Sequence, residues 1–217
     1  IGYGVPEKDA HNYIHSTCVE ITPVAGSNVW VASPYTNMAQ LLLDVMEENA
    51  DSFAELKQKV LAKLAESIRR NYEIYNQCRL TVAEKNIHPL LSCFVNDCLK
   101  NGTDIYQGGA RYNWIMPSFV GVANLTDSLY ALKTAVFEEK RLTLGEITEI
   151  CRQNFEGQEA LRQYLLNKLP KYGNDLDEVD MLFQEITEFI VQECRRYTPV
   201  FPNAHLVPSV FCWVMHD

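Results

Sequence analysis

The stretch His15-Ser-Thr-Cys-Val-Glu-Ile-Thr-Pro23 sets a thiol, Cys18, two residues before a carboxylate, Glu20, and closes at a proline. In an extended backbone the side chains at i and i+2 point to the same side, roughly 6–7 Å apart, so both groups can face one small molecule. Val19 then points away, into packing. Such a pair suits a two-handed reaction, in which sulfur acts at one substrate atom while the carboxylate takes or gives a proton at the next. Alone the tripeptide is weakly specific, because a buried structural cysteine is the commoner fate of that residue. A Cys–His hydrolase built on His15 fits poorly: on a strand i and i+3 face opposite sides, and no Asn or Asp is evidently placed to orient the imidazole.

Composition narrows the class. The 217 residues are 47% hydrophobic, enough to fill a real core. A net charge of -9, with no basic run longer than a pair such as Arg195-Arg196, excludes a nucleic-acid binder with a basic stripe. The seven cysteines, at 18, 78, 93, 98, 151, 194 and 212, form no CxxC pair and are odd in number, so neither a zinc ribbon nor a disulfide framework is indicated. No metal site is expected at Cys93 and Cys98, where core packing is the favoured reading. Reduced thiols point to the cytoplasm, and no apolar run reaches membrane-spanning length. Ile1 is no initiator and Val207–Asp217 stops inside an apolar run, so the expectation is a piece of something longer.

The elements that must position the pair can be read from periodicity. Glu7 to Tyr13 reads as a helical turn or two that delivers a Cys loop over about 15–37, an irregular stretch with aromatics at Trp30 and Tyr35. Asn37 caps a helix with apolar positions Met38, Leu41, Leu42, Val45 and Met46, ending near Asn49. Asp51 or Ser52 caps a second, carrying Phe53, Leu56, Val60, Leu61, Leu64 and Ile68 and running to about Asn76. From Pro89 to Gly102 the spacing of Leu90, Leu91, Phe94, Val95, Cys98 and Leu99 predicts one amphipathic helix. Gly108–Gly121 reads as a strand with Tyr112, Trp114 and Phe119 buried, and fails as a phosphate loop for want of GxGxxG or GK[ST].

Residues 122–170 are helix-rich, with Asn124 or Thr126 as one cap, Thr143-Leu-Gly-Glu146 as a capping box and a helix near 157–168. The acidic run Asn174–Asp180 lacks the glycine and closing glutamate of a calcium loop and reads as a helix start; that helix carries Val179, Leu182, Phe183, Ile186, Phe189, Ile190 and Cys194. The fold class is α/β, mostly helical.

Several of these stretches together resemble the glycyl radical enzymes, the relatives of pyruvate formate-lyase. Thr17-Cys-Val-Glu20 is similar to the family's GCVE loop, preceded by Asp9-Ala10 and Tyr13, and the GGARYN motif stands intact at Gly108–Asn113. Ala123-Asn124, Asp127-Ser-Leu129, Val136-Phe-Glu-Glu-Lys140, Asn154-Phe-Glu-Gly157, Leu166-Asn-Lys168 and Pro170–Asp175 continue the likeness over most of the chain. The resemblance implies part of a ten-stranded β/α barrel, with the Cys loop inside it facing a second loop that bears the radical glycine. Cys18 would be the thiyl residue and Glu20 its acid/base partner: a glycyl radical takes the thiol hydrogen, the thiyl takes one from a substrate carbon, and a neighbouring bond breaks.

Members capable of formyl transfer pair two adjacent cysteines; here Val19 follows Cys18, so the Cys-x-Glu loop resembles the eliminating branch of dehydratases and related lyases. The alternatives are an arylacetate decarboxylase, or a non-catalytic remnant or binding module of the same fold. Thr17 stands where the family usually has Gly, Ile21 where many dehydratases have Pro, and Met116 where YNxxG would place Gly. By neighbourhood to the loop and to GGARYN, the substrate contacts expected on this chain are Tyr35, Ile115 and Met116.

The RVxGY segment that bears the radical glycine is not among these residues, nor is the first half of the barrel. The 1–217 chain is therefore expected to be one fragment of the barrel domain, inactive alone, with no bound cofactor or metal and the radical on a glycine elsewhere. The implied partners are a small-molecule substrate, a radical-SAM activating enzyme and, for the full-length protein, a second copy in a homodimer, with no nucleic acid and no membrane. With half a barrel missing, strands near 105–115 and 207–215 are expected to expose apolar faces.

Overall fold

The computed structural model describes residues 5–15, 21–30 and 34–211. Along the chain these form α1 (Glu7–Ala10), β1 (Tyr13–His15), β2 (Ile21–Pro23), β3 (Tyr35–Asn37), α2 (Met38–Met46) and α3 (Phe53–Lys85). There follow α4 (Pro89–Ser92), α5 (Cys98–Asn101), a 3₁₀ turn at Ile105–Gln107, β4 (Ser118–Val120), α6 (Val122–Leu132) and a π-helical turn at Lys133–Glu138. The chain finishes with α7 (Leu144–Arg152), α8 (Glu159–Asn167), α9 (Asp177–Arg195) and β5 (Ser209–Phe211). It divides into two compact units, one of residues 1–36, 67–119 and 191–211, the other of residues 37–66, 120–190 and 212–217.

In the first unit β1 and β2 pair antiparallel, Tyr13 opposite Pro23 and His15 opposite Ile21, so that residues 16–20 join the two strands. A second ladder runs through residues 112–118. The Trp30 amide donates to the Trp114 carbonyl at 3.0 Å and the Met116 amide to the Trp30 carbonyl at 2.9 Å. On the other side the Ile115 amide donates to the His205 carbonyl and the Val207 amide to the Ile115 carbonyl, both at 2.9 Å. The bridges Trp30–Ile115 and Ile115–Leu206 are parallel, and the ladder continues into a sheet of order β3-β4-β5. Tyr112, Trp114, Ile115, Met116 and Phe119 are all at most 5% exposed. The expected apolar edge at 105–115 is therefore covered within this chain, because strands from 26–30 and 203–207 flank it. Exposed apolar side chains lie elsewhere, at Tyr13, Ile14 and Ile21 and at Leu90, Phe94 and Leu99.

The second unit is helical and held by apolar stripes. Met38, Leu41, Leu42, Val45 and Met46 of α2 are buried, and α2 lies against α6 and α7. Val122, Leu125, Leu129 and Leu132 supply the buried stripe of α6, and Val179, Leu182, Ile186 and Ile190 that of α9. The Gln40 amide donates to Asn37 Oδ1 at 3.1 Å, and Thr143 with Glu146 completes a capping box, each relieving an orphan helix N–H.

Three further expectations change. α3 runs nine residues beyond Asn76, to Lys85, because its buried face there is carried by Arg79, 1% exposed, which an apolar count passes over. The stretch 89–101 is two short helices, α4 and α5, because Asp97 between them takes a left-handed conformation with φ 76°; Leu90, Phe94 and Leu99 consequently face outward, and of the two cysteines Cys98 is buried and Cys93 exposed. α6 is capped by Gly121 at φ 80°, not by Asn124 or Thr126, whose hydroxyl instead donates to the Val122 carbonyl.

Candidate active site and its support

Cys18 and Glu20 lie outside the described residues. β1 and β2, which lead into and out of residues 16–20, contribute Tyr13, Ile21 and Pro23 to a cavity of about 520 Å³. Trp114 and Met116 form another wall, and Val207–Val210 a third. Neighbouring residues of a strand face opposite sides. Met116 thus opens into this cavity, whereas Ile115 packs on the other face with Pro34, Ile68, Phe119 and Leu206. Tyr35 is 52% exposed on β3 and is not among the residues lining the cavity. Of the three expected substrate contacts, the fold brings only Met116 to the space that β1 and β2 border.

The GGARYN motif supports that space rather than lining it. A Cβ on Gly109 would lie 2.1 Å from the Thr103 carbonyl oxygen, and one on Gly108, at φ 87°, would lie 2.9 Å from the Phe201 ring. Arg111 donates through Nη1 to Asp9 Oδ2 at 2.9 Å, through Nε to Asp97 Oδ2 at 2.8 Å and through Nη2 to Asp97 Oδ1 at 3.2 Å. The Tyr112 hydroxyl donates to the same Asp9 oxygen at 2.9 Å. Asn113 Nδ2 donates to the carbonyls of Ala110, Pro202 and Gly108 at 2.8, 3.0 and 3.3 Å.

Charge follows this geometry. The Tyr112 hydroxyl, then the Arg111 guanidinium, hold Asp9 below the usual carboxylate range. Arg111 does the same to Asp97 and is itself held more firmly protonated by the two carboxylates. Deeper in the unit Arg79 donates to the Asn113 carbonyl at 2.6 Å and the Asn28 carbonyl at 3.0 Å, its guanidinium 5.2 Å from the Trp30 ring centre and 5.4 Å from that of Phe201. Burial lowers its pKa to about 10. Sequence reasoning assigned no role to Asp9, Arg79, Asp97 or Arg111. The available signal was an arginine flanked by residues small or aromatic enough to be buried, which obliges acceptors to come to it.

The helical unit has its own cavity, of about 410 Å³, walled by apolar side chains of α2, α6 and α8. Lys171 at its rim is engaged by the Leu165 and Leu169 carbonyls, and burial pushes the Cys151 thiol up, away from reactivity. Among the described residues no group of His, Cys, Asp or Glu converges as a metal site. No helix among them is long and apolar enough to cross a membrane.

The α/β fold and the motifs that shape the cavity agree with what is found among known proteins. A family model described as pyruvate formate lyase-like matches residues 1–216. The probable dehydratase YbiW of Escherichia coli (strain K12) is 31% identical over 91% of this chain and 27% of its own length. The trans-4-hydroxy-L-proline dehydratase of Clostridioides difficile is 31% identical over 79% of this chain and 24% of its own length. Among solved structures, the glycerol-bound B12-independent glycerol dehydratase from Clostridium butyricum superposes with a TM-score of 0.86 at 29% identity, covering 95% of this chain and 28% of that one. The chain belongs to the pyruvate formate lyase-like family of glycyl radical enzymes, and its fold is part of that family's barrel. It spans about a quarter of the length of those relatives.

Proposed function

We propose that these 217 residues are the thiol-bearing part of a longer cytoplasmic radical lyase, one that eliminates a C–O, C–N or C–S bonded group from a small polar substrate, in the manner of a dehydratase. The whole enzyme would work as a homodimer after activation by a radical-SAM partner, and this chain alone would be inert. The glycyl radical, on a glycine outside this chain, would supply the power to remove the thiol hydrogen. Cys18 then takes a hydrogen atom from a substrate carbon and returns one at the end, while Glu20 moves the proton that lets the adjacent group leave. Met116 and Trp114 hold the substrate against the hairpin and keep water from the radical.

The observation that carries this reading is the place of the strands that precede and follow Cys18 and Glu20 in sequence: their residues Tyr13, Ile21 and Pro23 border a cavity of about 520 Å³, room for a small molecule. The test is Glu20→Gln in the intact parent with deuterium-labelled substrate. The variant should form no product yet return substrate that has lost label to solvent through the Cys18 thiol. Turnover near that of the wild type would make Glu20 a structural neighbour of the thiol and remove the elimination assignment.

A further inference from the structure

We propose that Arg111 is a positioning residue for the β1–β2 strand pair that precedes and follows Cys18 and Glu20 in sequence: with Asp9, Asp97 and Tyr112 it clamps both strands to one platform. This rests on the radical lyase reading given above. The leading leg is tied through Asp9, four residues before β1, which accepts from Arg111 Nη1 and the Tyr112 hydroxyl. The returning leg is tied at its base, where the Asn96 amide donates to the Ala25 carbonyl at 2.6 Å and the Tyr112 amide to the Gly26 carbonyl at 3.0 Å. Asn96 is in turn held through its neighbour Asp97, which receives two hydrogen bonds from Arg111. Between the legs the Val24 amide donates to the Asn12 carbonyl at 3.0 Å. The ties through Asp9 and Gly26 thus meet at Arg111–Tyr112, and the one through Asn96 reaches Arg111 by way of Asp97.

A planar fork is needed. Asp97, a non-glycine residue at φ 76°, sits in a conformation that its side chain must hold, and Ala25 on the returning leg is also left-handed, at φ 54°. Arginine can engage Asp97 with two nitrogens and still reach Asp9 with a third; a lysine ammonium has neither the span nor the fixed geometry. The three side chains are only 23–30% exposed, so solvent screens the pairs less than it does surface ion pairs.

The test uses the intact parent before and after anaerobic activation, as wild type, Arg111→Lys and Tyr112→Phe; the phenylalanine keeps the ring's packing and so covers the case in which the lysine variant fails to fold. In the unactivated protein, amide exchange in residues 13–15 and 21–24 should quicken about tenfold in Arg111→Lys and roughly threefold in Tyr112→Phe, with α9 unchanged. After activation, kcat should fall about 100-fold in Arg111→Lys at equal glycyl radical content and near-constant KM. Unchanged hairpin exchange, quickening spread equally over α9, or loosened strands with an unchanged kcat would each overturn the proposal. Failure of the lyase reading would show differently, as no turnover in the activated wild type, and exchange alone would then decide the clamp.

Discussion

In the unit that carries the hairpin, the buried groups that matter are polar: Arg79, Asn28 and Asn113 are at most 7% exposed and each donates to backbone carbonyls. In the helical unit the buried groups are Leu, Ile, Val and Met on helix faces, and its ion pairs, such as Lys57–Glu185 at 2.7 Å, lie on the surface. The difference teaches how each unit tolerates change. An apolar interface is non-directional and absorbs a substitution of similar shape, whereas a side chain forked onto two carbonyls allows no substitute with another geometry. A rigid polar frame around irregular backbone is what a site needs, since loops at a site have no ladder of their own to hold them.

That contrast can be broken in several places. The largest effect is expected at Gly109, where a methyl group would collide with the Thr103 backbone at 2.1 Å: Gly109→Ala should give no folded first unit, read as loss of the cooperative thermal transition. Next comes Arg79→Lys, which retains the charge but cannot bridge the Asn113 and Asn28 carbonyls; it should cost about 3 kcal/mol in denaturant unfolding. An equally conservative change in the other unit, Ile186→Val at a fully buried position of α9, should cost only about 1 kcal/mol. If the lysine change proved as mild as the valine one, the contrast would fail.

The smallest expected effect is that of pH. Asp9 and Asp97 both have folded-state pKa values lowered by their partners, so their contribution is full above the unfolded value and is lost as pH falls through the lower folded values. Protection of the β1 and β2 amides, taken relative to the intrinsic exchange rate at each pH, should therefore fall below about pH 4, at a pH where α9 is still protected. Equal acid sensitivity in both regions would show that these carboxylates do not tie the hairpin.

The same contrast decides what could be read without coordinates. α2 and α7 follow from apolar residues at helical spacing with a capping side chain in front, and α9 from the same spacing with acidic residues in its first turn, because there the force that orders the helix is the one the pattern records. The second half of α3 does not follow, because its buried residue is Arg79, nor does the break between α4 and α5, because the agent is Asp97 turning toward Arg111, distant in sequence. At the site, residue types alone single out Cys18 and Glu20 and resemblance assigns their roles. The sequence marks Asp9 and the GGARYN stretch as motifs, yet side chain to backbone bonds have no period, so their part in holding the hairpin emerges only from the fold.

The most direct test of the central claim is a single substitution of the thiol. Cys18→Ser in the intact parent, activated anaerobically by its radical-SAM partner, should show the same glycyl doublet by electron paramagnetic resonance as the wild type and no turnover, because a serine O–H is too strong a bond to pass the hydrogen on. Turnover retained in that variant, at equal radical content, would contradict the account.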